Sequence, residues 1–340
     1  MNKVIIQDVK DIIDRLGARW QDFAGKTILI TGATGLIGSM LTRSILYLNK
    51  EKNANIKVIL VVRSGQSARD LFEIDEKVVI YEQKDITDIL DIDDNVDYIV
   101  HTASPANSKY YVEEPVETID AIYTGNKNVF ELGKEKKVSK IVSISSMEVY
   151  GTQDDRVVDE SDVGIINLYN VRSSYPLGKQ VAEFCGYAYF AEYGVPVISL
   201  RLAMCFGAGQ KANDRRVHKI FCDAGLRGED IEVRSSGKTV VNFVYSADAI
   251  LSILLLLLDG EPGEAYNVAG DSKNYTIMDM AKYIAKVTRV NVEHNYSPEV
   301  RFEPDNLMRL NAEKIRSLGW KPKYNIEEAL DRYLEYLKDF

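Results

Sequence analysis

Cysteine and histidine are both scarce in this 340-residue chain. The three cysteines (Cys185, Cys205, Cys222) form no Cys-x-x-Cys pair, and the three histidines (His101, His218, His294) are scattered. Metal-ligand spacing is therefore missing, no metal is expected, and free thiols in a reducing cytoplasm are the reading for the cysteines. Positive charge is not in excess either. With 42 Lys and Arg against 51 Asp and Glu the net charge is −9, and no compact basic stripe offsets it, which argues against a nucleic-acid partner. The N-terminus has no secretory pattern of charged, apolar and small residues. The run Ile253-Leu-Leu-Leu-Leu-Leu258 falls far short of the ~20 apolar residues of a membrane span and predicts a buried helix. Repeats, low-complexity tracts and flexible linkers are missing too. A soluble, cytoplasmic protein without membrane or nucleic-acid partners is expected.

What remains is ordinary globular material, 46% apolar and 27% charged, long enough for one large α/β domain or a large and a small lobe. Within it, Lys26-Thr-Ile-Leu-Ile-Thr-Gly-Ala-Thr-Gly-Leu-Ile-Gly38 is the most informative stretch. An apolar strand enters a turn with glycines at 32, 35 and 38, and a helix starting at Leu36 leaves it. Gly32 permits the tight bend, Gly35 a close approach of backbone to a pyrophosphate, and Gly38 close packing of helix on strand. The N–H groups around Thr34, Leu36 and Ile37 sit at the positive end of that helix, which suits an anion. A glycine triplet alone would also serve as a mere tight turn. Its strand–turn–helix setting favours dinucleotide binding.

Apolar runs recur at 27–30, 57–62, 78–81, 97–101, 139–145 and 196–201, with helical stretches around 36–50, 114–135 and 175–193. The alternation predicts a Rossmann-type, doubly wound parallel sheet covered by helices on both faces, with ligands at its C-terminal edge. Residues 4–16 form an amphipathic pattern expected to pack as a helix beside the first strand. Past residue 205 the pattern loosens, with turns at Gly207-Ala-Gly209, Gly260-Glu-Pro-Gly263 and Ser297-Pro298. We divide the chain into a helical extension (1–24), a cofactor domain (25–204) and a mainly substrate-binding lobe (205–340) that sends some segments back to the first.

The strand ends carry the remaining cofactor candidates. Arg63 follows the second strand, where NAD sites usually hold an acidic residue; it could pair with a 2′-phosphate, stack on adenine or face solvent. This tilts the expectation from NAD towards NADP. Asp85 and Ile86 follow the third strand and suit the adenine edge. His101-Thr-Ala-Ser-Pro105 ends the fourth, where Thr102, Ala103 and Ser104 would let backbone lie against the central part of the cofactor.

Tyr175-Pro-Leu-Gly-Lys179 places a phenol and an ammonium on one helix face. The ammonium is expected to lower the phenol's pKa and make Tyr175 a general base for a sugar or alcohol hydroxyl. Upstream, the fifth strand delivers Ser145-Ser146-Met147-Glu148-Val149-Tyr150-Gly151 to the same edge. Ser146 suits a hydrogen bond to the reacting oxygen, or simple strand-end capping. Glu148 suits a second acid or base, or a solvated carboxylate.

Together, TGATGLIG (31–38), HTASPA (101–106), SSMEVYG (145–151), Tyr175 with Lys179, and RLAMCFG (201–207) resemble the extended short-chain dehydrogenases/reductases of the nucleotide-sugar epimerase/dehydratase family. The segment Phe243-Val-Tyr-Ser-Ala-Asp248 adds to them, and the likeness is nearest the UDP-glucuronate decarboxylase and sugar-nucleotide 4,6-dehydratase branch. The resemblance implies an enzyme holding a nicotinamide cofactor that oxidises a sugar hydroxyl, typically at C4, before epimerisation, dehydration or decarboxylation. It implies Ser146 as hydroxyl partner, Tyr175 as base, Lys179 as ribose ligand, and Glu148 as auxiliary acid/base. Leu202 adds a cofactor contact and Asn128 a family asparagine.

Three departures stand out. Met147 replaces the acid of the dTDP-glucose dehydratases, Met204 replaces a substrate-side asparagine, and Val241 replaces an arginine seven residues before Asp248. Arg215, Arg216, Lys219 or Arg234 would have to grip a diphosphate instead, with Ser104, Met147 and Met204 near the sugar. The alternatives are an NADP-dependent reductase of a keto-sugar or other carbonyl, and a catalytically silent dinucleotide sensor. The resemblance also implies a homodimer built on helices 114–135 and 175–193.

Overall fold

The computed structural model describes residues 2–83, 85–105, 108–151, 153–271, 274–296 and 305–339. The chain starts with α1 (Lys3–Leu16), then alternates β1 (Thr27–Thr31), α2 (Leu36–Lys52), β2 (Lys57–Val62), α3 (Gly65–Leu71), β3 (Val78–Glu82) and β4 (Tyr98–His101). Next come α4 (Ser108–Glu113), α5 (Pro115–Lys136), β5 (Lys140–Ser146), β6 (Val157–Val158), α6 (Ser174–Tyr193), β7 (Val197–Leu202) and β8 (Met204–Phe206). The last third holds α7 (Val217–Leu226), β9 (Ile231–Val233), β10 (Phe243–Tyr245), α8 (Ser246–Asp259), β11 (Ala265–Val268), α9 (Ile277–Thr288) and β12 (Val292–His294). It closes with β13 (Arg309–Leu310), α10 (Glu313–Arg316) and α11 (Ile326–Leu337).

Seven parallel strands form the main sheet in the order β11-β7-β5-β4-β1-β2-β3. The order reverses between β1 and β4, and at that switch point an α/β sheet opens a crevice for ligands. Apolar strands such as Thr-Ile-Leu-Ile-Thr in β1 are buried on both faces, as a parallel sheet demands. Their alternation sorts the core into two layers. Ile28 and Ile30 pack with Met40, Leu41 and α8 on one side, while Leu29 packs with Val129, Phe130 and Ile141 on the other. Helix α8 contains the run 253–258 and is buried from Ser246 to Leu257, as its composition predicts. Among the described residues no helix is long and apolar enough to cross a membrane.

Later segments build short parallel pairs, β8 with β10, β9 with β12 and β6 with β13, while β11 returns to complete the main sheet. The turn expected at Ser297-Pro298 lies outside the described residues, as does Ala106 of the 101–106 segment. Helix α1 forms where the 4–16 pattern predicts it. Its packing differs from expectation: it lies against α2, α8 and α11 rather than beside β1, because α2 and α8 already cover that strand face.

Ion pairs fasten α1 there. Arg15 Nη1 donates to Asp248 Oδ1 at 2.6 Å, and the backbone N–H of Lys323 reaches both carboxylate oxygens at 3.1 Å. Asp8, fully buried, accepts from Arg332 Nε at 2.5 Å and from the Tyr245 hydroxyl at 2.8 Å. Removing one member of such a buried set strands the others. Asp248→Ala is therefore expected to lower unfolding stability by about 3 kcal/mol. Urea denaturation measures this, and a loss below ~1 kcal/mol would remove Asp248 from the clamp.

Candidate active site

The glycine turn after β1 packs closely against the end of β4 and the start of α2. Gly32 has φ +66°, a left-handed conformation that side chains resist, and a Cβ there would lie 2.8 Å from both Ala103 N and Thr102 Oγ1. A Cβ on Gly38 would lie 2.5 Å from Gly32 O, so that residue brings α2 against the turn. Gly35 is the N-cap of α2 and no side chain caps the helix, which leaves the first-turn amides around Leu36 and Ile37 to bind an anion.

The end of β4 closes on this turn. Thr102 Oγ1 donates to Thr31 O at 2.7 Å and Ala103 N donates to Thr31 Oγ1 at 3.2 Å, while Thr31 Oγ1 and His101 Nδ1 lie 2.7 Å apart. Ser104 Oγ is buried without a hydrogen-bond partner among the described residues, an orphan that a bound molecule would satisfy. The glycine cradle, the uncapped helix and this hydroxyl fit a dinucleotide.

Arg63 stands exposed after β2. With Thr34, Ser64, Ser67 and Lys211 it lines a cleft of about 550 Å³ beside the glycine turn. Lys211 comes from beyond β8, about 150 residues away in sequence, and nothing local signals its arrival. Asp85 accepts a hydrogen bond from Thr87 N at 3.0 Å, which holds its carboxyl below the usual range. Asn128 Nδ2 donates to the carbonyls of Ile86, Thr87 and Asp88, so this asparagine secures the loop that carries Asp85 and Ile86.

Ser146, Tyr175 and Lys179 meet one sheet edge away. Ser146 ends β5, pairs in register with the buried Leu202, accepts a hydrogen bond from Glu148 N at 3.2 Å, and its hydroxyl acts to lower the Tyr175 phenol. Lys179 is 3% exposed, and its Nζ donates to Ile144 O at 2.7 Å. Burial brings this ammonium down to about 8. Part of Tyr175 remains accessible, but its surroundings are dense enough that burial, with the Glu148 carboxylate second, pushes the phenol up. This reverses the expected lowering by Lys179. Desolvation outweighs the charge, and the ammonium is turned onto a carbonyl, 5.7 Å from the Tyr175 ring centre.

Residues with no motif signature complete the site. Tyr111 of α4 stacks on Tyr175 with ring centres 4.3 Å apart and planes at 11°. Arg172 lies over Tyr111 at 5.0 Å and pairs with Glu148 at 2.7 Å. Glu148 belongs to the 3-10 turn Met147–Tyr150, whose first residue, Met147, is half-buried against the core. Arg172 sits three residues before Tyr175, a proximity visible in sequence; Tyr111, 64 residues away, is not.

The substrate-side candidates scatter. Met204 is half-buried on β8, and Val241 lies in the core. Arg215 is exposed, and Arg234 is exposed and bonded to Glu232. Arg216, next to Arg215 in sequence, joins Arg172 in lowering Tyr175 and Tyr111 by its charge; it also pairs with Asp214 at 2.8 Å and donates to Cys205 O at 2.6 Å. Lys219 pairs with Asp223 beside a separate cavity of about 380 Å³ that shares no residue with this constellation.

Comparison with known proteins places this geometry. UDP-glucuronic acid decarboxylase 1 of Danio rerio is 30% identical over 92% of this chain and 72% of its own length. The structure of UDP-glucose 4-epimerase from Thermotoga maritima, solved with UDP-glucose, superposes with TM-score 0.77 at 24% identity, covering 92% of this chain and 99% of that one. UDP-glucuronic acid 4-epimerase from Bacillus cereus, solved with UDP-glucuronic acid and NAD, gives the same TM-score and coverage at 22% identity. The model of the NAD dependent epimerase/dehydratase family matches residues 28–269, from the first strand through the return of β11 to the sheet, and the chain belongs to that family.

Proposed function

We propose that this chain oxidises a hydroxyl of a nucleotide-linked sugar at C4 and then epimerises, dehydrates or decarboxylates the keto-sugar. The observation that carries the reading is the meeting of Ser146, Tyr175 and Lys179 beside the glycine cradle. NAD, when bound, supplies the hydride acceptor. Gly32, Thr34, Gly35, Leu36, Ile37 and Gly38 would hold its pyrophosphate, Arg63, Asp85 and Ile86 its adenosine end, and Thr102, Ala103, Ser104 and Leu202 its middle. Lys179 would hold the second ribose. Once its own proton has passed to solvent, the Tyr175 phenolate takes the proton of the sugar hydroxyl, and Ser146 steadies that oxygen. Glu148 moves a proton at the neighbouring carbon, with Arg172 orienting its carboxylate.

Residues 25–204 form the cofactor domain and 205–340 most of the substrate lobe, where Arg216 is better placed than Arg215 or Arg234 to answer a diphosphate. Ser104, Met147 and Met204 would face the sugar. Similarity to UDP-glucuronic acid decarboxylases makes a UDP-hexuronate the first substrate to test. The three free cysteines, two of them buried, suit a reducing cytoplasm.

Tyr175→Phe is expected to cut turnover by about 10²–10⁴-fold while NAD still binds. Glu148→Gln is expected to keep the first oxidation, seen as a burst at 340 nm with UDP-glucuronic acid, and to lose the rearranged product by mass spectrometry. If no sugar nucleotide in a UDP, dTDP, GDP and CDP panel reacts with the wild-type protein, the reading fails.

The cleft joining Arg63 and Lys211 favours a second reading, an NADP-dependent reductase of a keto-sugar, because two cations beside the ribose suit a 2′-phosphate. On that reading Arg63→Ala weakens NADP binding about tenfold and leaves NAD binding unchanged, by fluorescence titration. Equal effects on both would return the site to NAD alone.

The outer face of α5 and α6 supports a homodimer. Val116, Ile119, Tyr123, Val181, Phe184 and Tyr187 are all exposed there, Phe184 at 69%. Phe184→Glu is expected to yield a monomer by light scattering; a wild-type monomer would exclude the pairing.

A further inference from the structure

Behind the constellation lies a carboxylate that no step above uses. Glu183 stands one helical turn beyond Lys179 on the same face of α6. It accepts a hydrogen bond from the Ser145 hydroxyl. Arg201 of β7 grips it with Nη2 at 2.8 Å from Oε2 and Nε at 3.1 Å from each oxygen. Both side chains are 13% exposed, so this is a largely desolvated fork-to-fork pair. Arg201 Nη1 continues to the Tyr150 hydroxyl at 2.8 Å, and that hydroxyl donates to the buried Asn267 Oδ1 at 2.8 Å. One network thus joins α6, β5, β7, β11 and the turn that carries Glu148.

We propose that Glu183 is a positioning residue: its charge faces the Lys179 ammonium, and through Ser145 and Arg201 it ties the end of β5 and the turn 147–150 to α6. The inference rests on the role given to Lys179 above. An ammonium buried with a single carbonyl acceptor tends to lose its proton. Burial does lower Lys179, and Glu183 is the charge that opposes it. The other groups around Lys179 do not share that task. Tyr175 lies on the same helix with its ring 5.7 Å from Nζ. His101 of β4 is buried and brought down to about 3, hence neutral. β5 contributes the neutral Ile144 carbonyl and Ser145, and the Arg201 cation of β7 is bound to Glu183.

The test follows the lysine directly, in the full-length protein without sugar substrate. Carbon-13 is placed at lysine Cε and Lys179 is assigned by the signal lost in Lys179→Met. Its titration midpoint is expected near 8 in the wild type. Glu183→Gln keeps the shape and removes the charge, and is expected to lower the midpoint by about one pH unit. Ser145→Ala breaks a hydrogen bond and leaves the charge, and is expected to move it by less than about 0.3 unit. Should Glu183→Gln not fold, Glu183→Gln/Arg201→Met replaces the whole pair with neutral groups, a change buried pairs often tolerate, and should show a smaller drop in the same direction, because the opposing Arg201 cation leaves with the carboxylate. An unchanged midpoint in the folded charge-removed protein, or an equal drop in Ser145→Ala, overturns the proposal. Because no sugar is present, a wild type inactive on every sugar nucleotide would sink the functional reading without deciding this one.

Discussion

Keeping an ammonium charged inside the protein is the constraint around which the rest is arranged. Lys179 is almost wholly removed from water, and burial lowers its ammonium to about 8. Its Nζ is met by the Ile144 carbonyl at the end of β5, and Glu183 lies one turn further along the helix. That geometry requires α6 to run close beside β5 and β7. Gly186 permits the approach to β7, since a Cβ there would press on Val197, and Gly178 lets α6 lie close to Ile122 of α5. Once α6 is seated, Tyr175 is carried to the sheet edge next to Ser146. The strand order then sets this edge beside the glycine turn, because β5 neighbours β4 and β4 neighbours β1.

The same burial that seats Lys179 works against Tyr175 as a base. Its phenol is pushed up by desolvation and by Glu148, while Arg172 and Arg216 pull the other way. The site therefore holds a protonated phenol at neutral pH, and proton removal needs further positive charge in the groove. Tyr111 and Arg172 fit this balance. Tyr111 fixes the plane of the phenol by stacking, and Arg172 neutralises the carboxylate nearest to it. Arg172 thus offsets part of the Glu148 charge, but that carboxylate still opposes ionisation of the phenol.

The departures from the family pattern have a consistent location. Val241 is packed into the core and Met204 is half-buried on a short strand beside it, and both side chains are apolar. Arg216, on the loop before α7, is held by Asp214 and the Cys205 carbonyl, and its charge acts to lower the Tyr175 phenol. Arg215, one residue earlier, is exposed. A step of one residue reverses the direction of a side chain in extended backbone. The choice between adjacent arginines was therefore open until the chain was folded.

Local chemistry made much of this protein legible from its residues alone. The glycine turn, the alternation of apolar strands with helices, the buried run in α8 and the four-residue spacing of Tyr175 and Lys179 depend on near neighbours. Backbone sterics and helical or strand periodicity act over that same range. Tertiary structure decided what depends on distant partners: Lys211 beside Arg63, Tyr111 on Tyr175, and the seating of α1 on α2 and α8 rather than on β1. It also reversed the expected shift of the Tyr175 phenol. Spacing reports the charge beside a group, but only the packed fold sets how much water that group has lost, and here the lost water is the larger effect.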